Sequence, residues 1–129
     1  MADFLKVAAP IVLGVVALAC ASSPRSEGSV SSRRMLLGDE IQTASVATAY
    51  EAVSRLRPEW LRRRGQISFR QPDAGEVVVY VNGMRRGGAA ALTAVTALSV
   101  VRMEFLSGTV ATTRYGTGHG GGAILVDTR

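Results

Sequence analysis

Arginine residues grouped beside a tryptophan are the most suggestive chemical feature of the sequence. The run Trp60-Leu61-Arg62-Arg63-Arg64 places an aromatic ring next to three guanidinium groups. Guanidinium groups form paired hydrogen bonds with carboxylates and phosphates, and they stack on aromatic rings. The run could therefore contact lipid headgroups, lipopolysaccharide phosphates or an acidic partner. Alternatively, Trp60 and Leu61 cap the core while the three arginines are solvated.

Arginines at two other places could also bind an anionic group. Asn82-Gly83-Met84-Arg85-Arg86-Gly87 is expected to form a loop at the end of a strand, and Arg114 directly precedes Tyr115-Gly116. A tight turn with two exposed arginines would explain this loop as well as an anion-binding role does. The candidate contacts for a ligand or partner are Trp60, Arg62, Arg63, Arg64, Asn82, Arg85, Arg86 and Arg114.

The charge of the chain agrees with anion binding but does not require it. There are 15 lysine and arginine residues against 10 aspartate and glutamate residues, which gives a formal net charge of +5. Lys6 is the only lysine, so almost all of the positive charge is arginine. This bias fits phosphate or carboxylate binding, but an arginine-rich genome produces the same composition.

The glycine-rich segment offers little catalytic chemistry. Residues 116–121 match the GxGxxG spacing, but a dinucleotide site needs a strand before it and a helix after it, and here the order is reversed. His119 is the only histidine and is expected in an exposed loop. No serine lies in a G-x-S-x-G elbow. We therefore predict no enzymatic activity, cofactor or metal, and an enzyme acting on envelope polymers is the third alternative.

Residues 1–19 have the layout of an export signal. Lys6 lies near the start, and an apolar run extends from Val7 to Ala19. As a helix, this run is roughly 20 Å long, which is shorter than a bilayer core of roughly 30 Å. Export is therefore favoured over a permanent membrane span.

The signal ends in a motif for lipid attachment. Ala17-Leu18-Ala19-Cys20 resembles the lipobox of bacterial lipoproteins, although Ala17 stands where that motif prefers leucine. We predict that cleavage makes Cys20 the acylated first residue. The alternatives are an ordinary cut after Ala19 or Ala21 and an uncleaved anchor. Since Ala21 is not the aspartate that retains lipoproteins in the inner membrane of enteric bacteria, we expect attachment to the periplasmic face of the outer membrane, with a secreted or periplasmic location as the alternative.

Residues 20–34 are expected to form a flexible tether. The segment is rich in serine, and Val30 is its only large apolar residue before Arg33, so it cannot bury enough surface to offset ordering. Cys20 is the only cysteine, so no internal disulfide can form. Export also disfavours nucleic acid as a partner.

A folded domain is predicted over residues 35–129. The spacing of apolar residues predicts a helix that is capped by Ser45 and ends near Arg57, before Pro58. Its apolar face consists of Val46, Ala49, Tyr50, Val53 and Leu56.

The remaining pattern alternates short strands with short helices. Strands are predicted at residues 35–37, 67–70, 77–81, 100–106 and 123–127. Turns are predicted at residues 71–75 and 82–83, a helical turn at 39–41, a second helix at 89–98, and a short helix or turn at 109–115. The expected fold is α+β, with a small mixed sheet and two main helices.

Motifs in this order resemble landmarks of the plug domain of TonB-dependent outer-membrane receptors. They are Val79-Tyr80-Val81-Asn82-Gly83-Met84, Val101-Arg102-Met103-Glu104-Phe105-Leu106-Ser107-Gly108, Tyr115-Gly116, and Ala123-Ile124-Leu125-Val126-Asp127-Thr128-Arg129. In that family a strand ends in Asp-Gly, a later strand carries Ile-Glu-Val before a glycine, a short helix ends in Tyr-Gly, and the domain closes on Gly-Val-Ile-Asn-Ile. The resemblance covers residues 36–129 and implies a plug-like binding or interaction module.

Three departures from the family limit what the resemblance implies. Receptors continue past the position of Arg129 into a membrane β-barrel, no TonB box is recognisable before Arg33, and Asn82 replaces the usual aspartate. We therefore expect an envelope module whose partner is an unidentified protein or anionic ligand. The alternative is a component or fragment of a transport system that acts with a separate barrel.

Overall fold

The computed structural model describes residues 27–64, 70 and 75–129. Within these residues a five-stranded mixed sheet carries helices on its two faces. The predicted α+β class with a small mixed sheet is therefore confirmed. The predicted export signal, Cys20, the strand at 67–70 apart from Arg70, and the turn at 71–74 lie outside the described residues.

The strands confirm four of the sequence predictions. They are β1 (Met35–Leu37), β2 (Val78–Val81), β3 (Met84–Gly87), β4 (Val100–Leu106) and β5 (Ala123–Thr128). Their order across the sheet is β1-β4-β5-β2-β3, and only β5 and β2 run parallel. β2 reads as a continuous apolar run because both of its faces are covered, as expected for a central strand.

Strand β3 was not predicted, since residues 82–87 were expected to form a loop. Asn82 and Gly83 have φ angles of 49° and 81°, so they form a two-residue hairpin turn of the type that matches the twist of antiparallel strands. The chain then returns along β2. Met84, Arg85 and Arg86 are all exposed, so the strand lacks the alternation of apolar and polar residues that would predict it.

The helices are short. They are α1 (Glu27–Arg34), α2 (Gly38–Thr43), α3 (Ala49–Leu56) and α4 (Gly108–Tyr115), with 3-10 turns at Pro58–Leu61, Ala89–Ala94 and Ala97–Ser99. The predicted end of α3 before Pro58 is confirmed, but the predicted cap is wrong. Thr48, rather than Ser45, accepts the hydrogen bond from the Glu51 amide, at 3.3 Å. Ser45 instead has a positive φ of 52°, in the turn before the helix.

The predicted second helix at 89–98 forms two separate 3-10 turns. Between them Val95 is extended, with φ −98° and ψ 119°. The Val95 carbonyl accepts from the Ala49 amide at 2.8 Å, and the Ala97 amide donates to the Ala47 carbonyl at 3.0 Å. Because these backbone groups bond to the chain that leads into α3, they are not free to continue a helix.

The last part of the predicted tether differs from the expectation of a flexible segment. Residues Glu27–Arg34 form α1, which leads directly into β1. The carbonyls of Ser32 and Arg33 accept hydrogen bonds from Arg57 and from the Trp60 indole, at 3.2 and 3.1 Å. The end of α1 is therefore attached to the domain by contacts that composition alone does not reveal.

Two cores lie on opposite faces of the sheet. The larger one packs α2, α3 and the 3-10 turns against the sheet, and includes Leu36, Ile41, Val53, Trp60, Val79, Leu92, Met103, Phe105, Ile124 and Val126. The smaller one packs α4 against the other face, and consists of Val78, Tyr80, Leu106, Ala111 and Ala123. Among the described residues no helix is long and apolar enough to cross a bilayer.

Candidate functional site

A basic cleft opens where the ends of two helices meet on the side of the larger core. It has a volume of about 650 Å³. We call it the arginine cleft, and it is lined by Arg33, Arg34, Leu56, Arg57, Glu59, Trp60, Arg64 and Phe105. The ends of α1 and α3, the 3-10 turn after α3, and β4 each contribute to it. Four arginines, one glutamate and two aromatic residues are therefore part of its lining.

Trp60 forms the floor of the cleft rather than an exposed contact. Its side chain is 1% exposed and belongs to the larger core. Its ring stacks on Phe105 with centroids 5.8 Å apart, and its indole N–H donates to the Arg33 carbonyl at 3.1 Å. Of the two interpretations of the Trp60 to Arg64 run, the structure therefore supports the one in which the tryptophan caps the core.

Arg64 is the member of the arginine run that the structure brings into the cleft. Its guanidinium lies 4.7 Å from the centre of the Phe105 ring, and its Nη2 donates to the Glu59 carbonyl. Stacking and a backbone hydrogen bond therefore fix the orientation of this cation. Arg62 and Arg63 are exposed and do not line the cleft.

Arg57 was not among the predicted contacts, yet it joins three parts of the site. Its Nη1 donates to the Leu56 carbonyl at 2.9 Å, and its Nη2 lies 3.2 Å from both the Ser32 carbonyl and a Glu40 carboxylate oxygen. Nothing in the sequence distinguishes it from a solvated arginine at the end of a helix. Arg33 and Arg34 were read as part of the tether, so their placement beside Arg57 could not be predicted either.

Two buried N–H groups of the arginines that line the cleft lack an acceptor among the described residues. They are Nε of Arg57 and Nη1 of Arg64, which have no hydrogen-bond partner among the described residues. An unpaired buried donor costs about 1–3 kcal/mol, and more when it is charged. Because neither nitrogen is accessible to solvent, a ligand in the cleft would have to bond to the other N–H groups of these arginines.

The other predicted contacts lie apart from the cleft. Arg85 and Arg86 are exposed on the edge strand β3. The Asn82 side chain is bonded to Thr128, with Nδ2 donating to the hydroxyl and Oδ1 accepting from the backbone amide, each at 2.9 Å. Asn82 therefore connects the hairpin to β5, which is a structural use of its amide.

Arg114 lines a separate, smaller cleft of about 180 Å³ near the end of α4. The neighbouring cation, Arg102, already contacts Asp127 at 2.7 Å. The hydrogen bond and charge of Asp127 raise the pKa of the Arg102 guanidinium above its ordinary value. Arg114 itself lies over the Tyr115 ring at 5.3 Å. This second cleft therefore holds cations that already have partners.

His119 is buried, so the prediction of an exposed loop residue is wrong. Its side chain is 2% exposed and stacks with Tyr80, which in turn stacks on Tyr115. Nδ1 lies 2.9 Å from the Gly116 carbonyl, which can only accept, so Nδ1 carries the proton. In the neutral ring, Nε2 then accepts from the Tyr80 hydroxyl at 2.8 Å. The tight turns of the surrounding glycines fold the imidazole inward, which the sequence pattern did not reveal.

Removing the Tyr80 hydroxyl tests this structural use of His119. We expect Tyr80→Phe to lower the free energy of unfolding by about 1–2 kcal/mol, because it leaves Nε2 of a buried imidazole without a donor. Tyr115→Phe is the matched control. No hydrogen bond of the Tyr115 hydroxyl occurs among the described residues, so its cost should stay within about 0.5 kcal/mol. Urea denaturation followed by circular dichroism measures both values, and equal costs would contradict the assignment.

Comparison with known proteins identifies no relative of this chain. No protein-family model, curated protein or solved structure matches the chain. Across residues 27–64, 70 and 75–129, no group of three or more histidine, cysteine, aspartate or glutamate side chains is arranged to hold a metal ion.

Proposed function

We propose that this chain is a plug-like, non-enzymatic binding module of the bacterial cell envelope, anchored through Cys20 as a lipoprotein and recognising an anionic group on its partner. The arginine cleft is the observation that carries this proposal. Four arginines line this one cleft, and only Arg57 among them forms an ion pair with a carboxylate within the described residues. Such a surface favours binding over catalysis.

The order of elements supports the plug-like part of the proposal. β2 ends at the Asn82-Gly83 turn, β4 ends just before Ser107-Gly108, and α4 ends at Tyr115-Gly116. β5 then closes the domain in the centre of the sheet. These are the motifs that carry the resemblance, and each lies at a boundary of an element, where it would define the path of the chain.

The use of His119 supports the non-enzymatic part. The imidazole is the only histidine side chain of the sequence, and both of its nitrogens are engaged inside the domain. A general base must reach a substrate proton, and this ring is covered by two tyrosines. Its geometry stabilises the glycine-rich loop instead.

Lipid attachment is tested by the intact mass of the protein isolated from its host membranes. We expect the wild-type protein to begin at an acylated Cys20 and to occur in the outer-membrane fraction. Cys20→Ser should remove both the acyl mass and the membrane association, because the peptidase and the acyl transfer need the thiol. Ser22→Ala is the matched control and should behave as wild type. An unmodified chain that begins at Cys20, or after Ala21, would overturn the lipoprotein part of the proposal.

The alternative function, with a separate barrel, has its own test. Cross-linking in intact cells should join the lipidated protein to one outer-membrane barrel if the two act together in transport. Loss of that cross-link in a variant with unchanged expression would identify the contact surface. If the only cross-linked species are other envelope components, the binding-module proposal is favoured.

A further inference from the structure

We propose that the arginine cleft is a phosphate-binding site, which takes either a phosphomonoester of a lipid headgroup or free phosphate. This inference deepens the proposed function and rests on it for the compartment in which the ligand is found. The site also differs from the arginine run that the sequence suggested, since Arg64 is the only arginine of that run that lines the cleft. The site is formed by Arg33, Arg34, Arg57 and Arg64 over the Trp60 and Phe105 rings.

The charges around the cleft favour an anion. Among the described residues only two ion pairs form, and just one of them, between Arg57 and Glu40, involves a residue of the cleft. Glu59 is the one acidic residue in the lining. Arg33, Arg34 and Arg64 therefore have no carboxylate partner within the described part of the chain. Arginines held together without counter-charges are stabilised by binding an anion.

The bonds of the two central arginines make the case more specific. Arg57 donates through Nη1 to the Leu56 carbonyl and through Nη2 to the Ser32 carbonyl and Glu40, and Arg64 donates through Nη2 to the Glu59 carbonyl. Both guanidiniums are therefore held in place by the protein itself. A ligand that contacts them would not have to order either side chain.

The favourable effect of a cation at the end of a helix explains the positions of only some of the four arginines. Arg33 and Arg34 lie in the last turn of α1, where cations offset the partial negative charge of the helix end. Arg57 does the same for α3 by bonding the Leu56 carbonyl. Arg64 follows neither helix; its guanidinium lies against the Phe105 ring and donates to the Glu59 carbonyl of the 3-10 turn. Neither contact neutralises its charge, as an anionic ligand would.

Phosphate fits the donor set better than carboxylate. A carboxylate has two oxygens, and one guanidinium can occupy both of them in a paired contact. A phosphomonoester has three free oxygens and a charge of about −1.5 to −2 at neutral pH. With a third oxygen and a higher charge, it can accept from more arginines at once than a carboxylate can, which suits a cleft lined by four arginines.

The experiment uses the only tryptophan of the chain as its probe. Trp60 lines the cleft, so its fluorescence should report binding directly. The protein, isolated from membranes in a non-ionic detergent, is titrated with inorganic phosphate against sodium chloride of equal ionic strength. We expect a saturable change in Trp60 emission. Arg64→Gln should weaken the affinity by about tenfold, because it removes one positive charge from the lining of the cleft.

Arg63→Gln is the matched control. It removes the same charge one position away, from an exposed side chain that does not line the cleft. We expect it to change the affinity by less than about twofold. Because Arg64 also stacks on Phe105, thermal unfolding of each variant is recorded. If Arg64→Gln does not fold, Arg34→Gln, which alters an exposed lining residue, takes its place in the comparison.

Vesicles distinguish the two sources of phosphate. Binding to phosphatidylcholine vesicles that contain phosphatidic acid, but not to inorganic phosphate, would identify a lipid headgroup as the ligand, provided that Arg64→Gln abolishes it. Equal losses in Arg63→Gln and Arg64→Gln would reveal diffuse charge attraction and overturn the site, as would no response to either probe. A lipidated protein that binds neither probe refutes the phosphate site alone, whereas an unlipidated protein that binds phosphate refutes only the anchor.

Discussion

Gly122→Ala should lower the free energy of unfolding by about 3–5 kcal/mol, whereas Gly118→Ala should lower it by only about 1–2 kcal/mol. The two glycines have nearly the same φ angle, 94° and 93°. An alanine at either position therefore has the same unfavourable φ angle. The difference between the two variants isolates the effect of the space around the added methyl group.

That space differs sharply between the two positions. A Cβ at Gly122 would lie 2.5 Å from the Leu106 carbonyl oxygen and 2.8 Å from Cζ of Phe105, whereas a Cβ at Gly118 would meet no atom within 4 Å. The Leu106 carbonyl cannot move away easily, because Leu106 pairs with Ala123 in the β4–β5 ladder. Relief of the clash must therefore separate the two longest strands or displace the Phe105 ring.

Urea denaturation followed by far-ultraviolet circular dichroism measures both variants against wild type. The Arg64 guanidinium lies over the Phe105 ring. If the Gly122→Ala variant folds, we therefore expect it to bind phosphate more weakly at the arginine cleft as well. Equal stability losses at the two positions would show that φ alone sets the cost and would contradict the close contact with β4.

The sequence predicts the sheet better than it predicts what covers the sheet. β2 and β4 are recognisable because runs of β-branched and aromatic residues fit a pleated, buried surface. The edge strand β3 carries no such pattern, since its arginines face solvent and only its backbone pairs. The segment around Val95 is rich in alanine and favours a helix locally, but its backbone groups bond to the entry of α3. In both cases a tertiary contact decides the structure.

Only two of the eight residues that line the cleft, Trp60 and Arg64, were among the predicted contacts. Trp60 and Arg64 are conspicuous in the sequence because an aromatic residue beside arginines is a recognisable binding pattern. Arg33 and Arg57 are 24 positions apart in number, and only the docking of α1 on the end of α3 brings them to one cleft. The burial of His119 could not be predicted for a similar reason. The glycines around it predict exposure, while the two tyrosines that cover it lie in β2 and α4.

Trp60→Ala should lower the free energy of unfolding by about 3–5 kcal/mol, which is the range for removing a large aromatic side chain from a core. The indole is 1% exposed, stacks on Phe105, and bonds the Arg33 carbonyl. Truncation therefore leaves a cavity under the arginine cleft and frees the end of α1. Circular dichroism is the readout, because the variant no longer contains a tryptophan.

Trp60→Phe is the control that separates the two contributions. It retains most of the buried ring and loses the indole N–H, so its cost should be about 1 kcal/mol from the hydrogen bond together with up to about 1.5 kcal/mol from the smaller side chain. If Trp60→Ala costs no more than Trp60→Phe, the indole does not pack in the core. Trp60 would then be free to act as a surface contact, which is the alternative that the sequence left open. A large difference means that the ring holds α1 against the domain, and that the four arginines of the cleft depend on it for their positions.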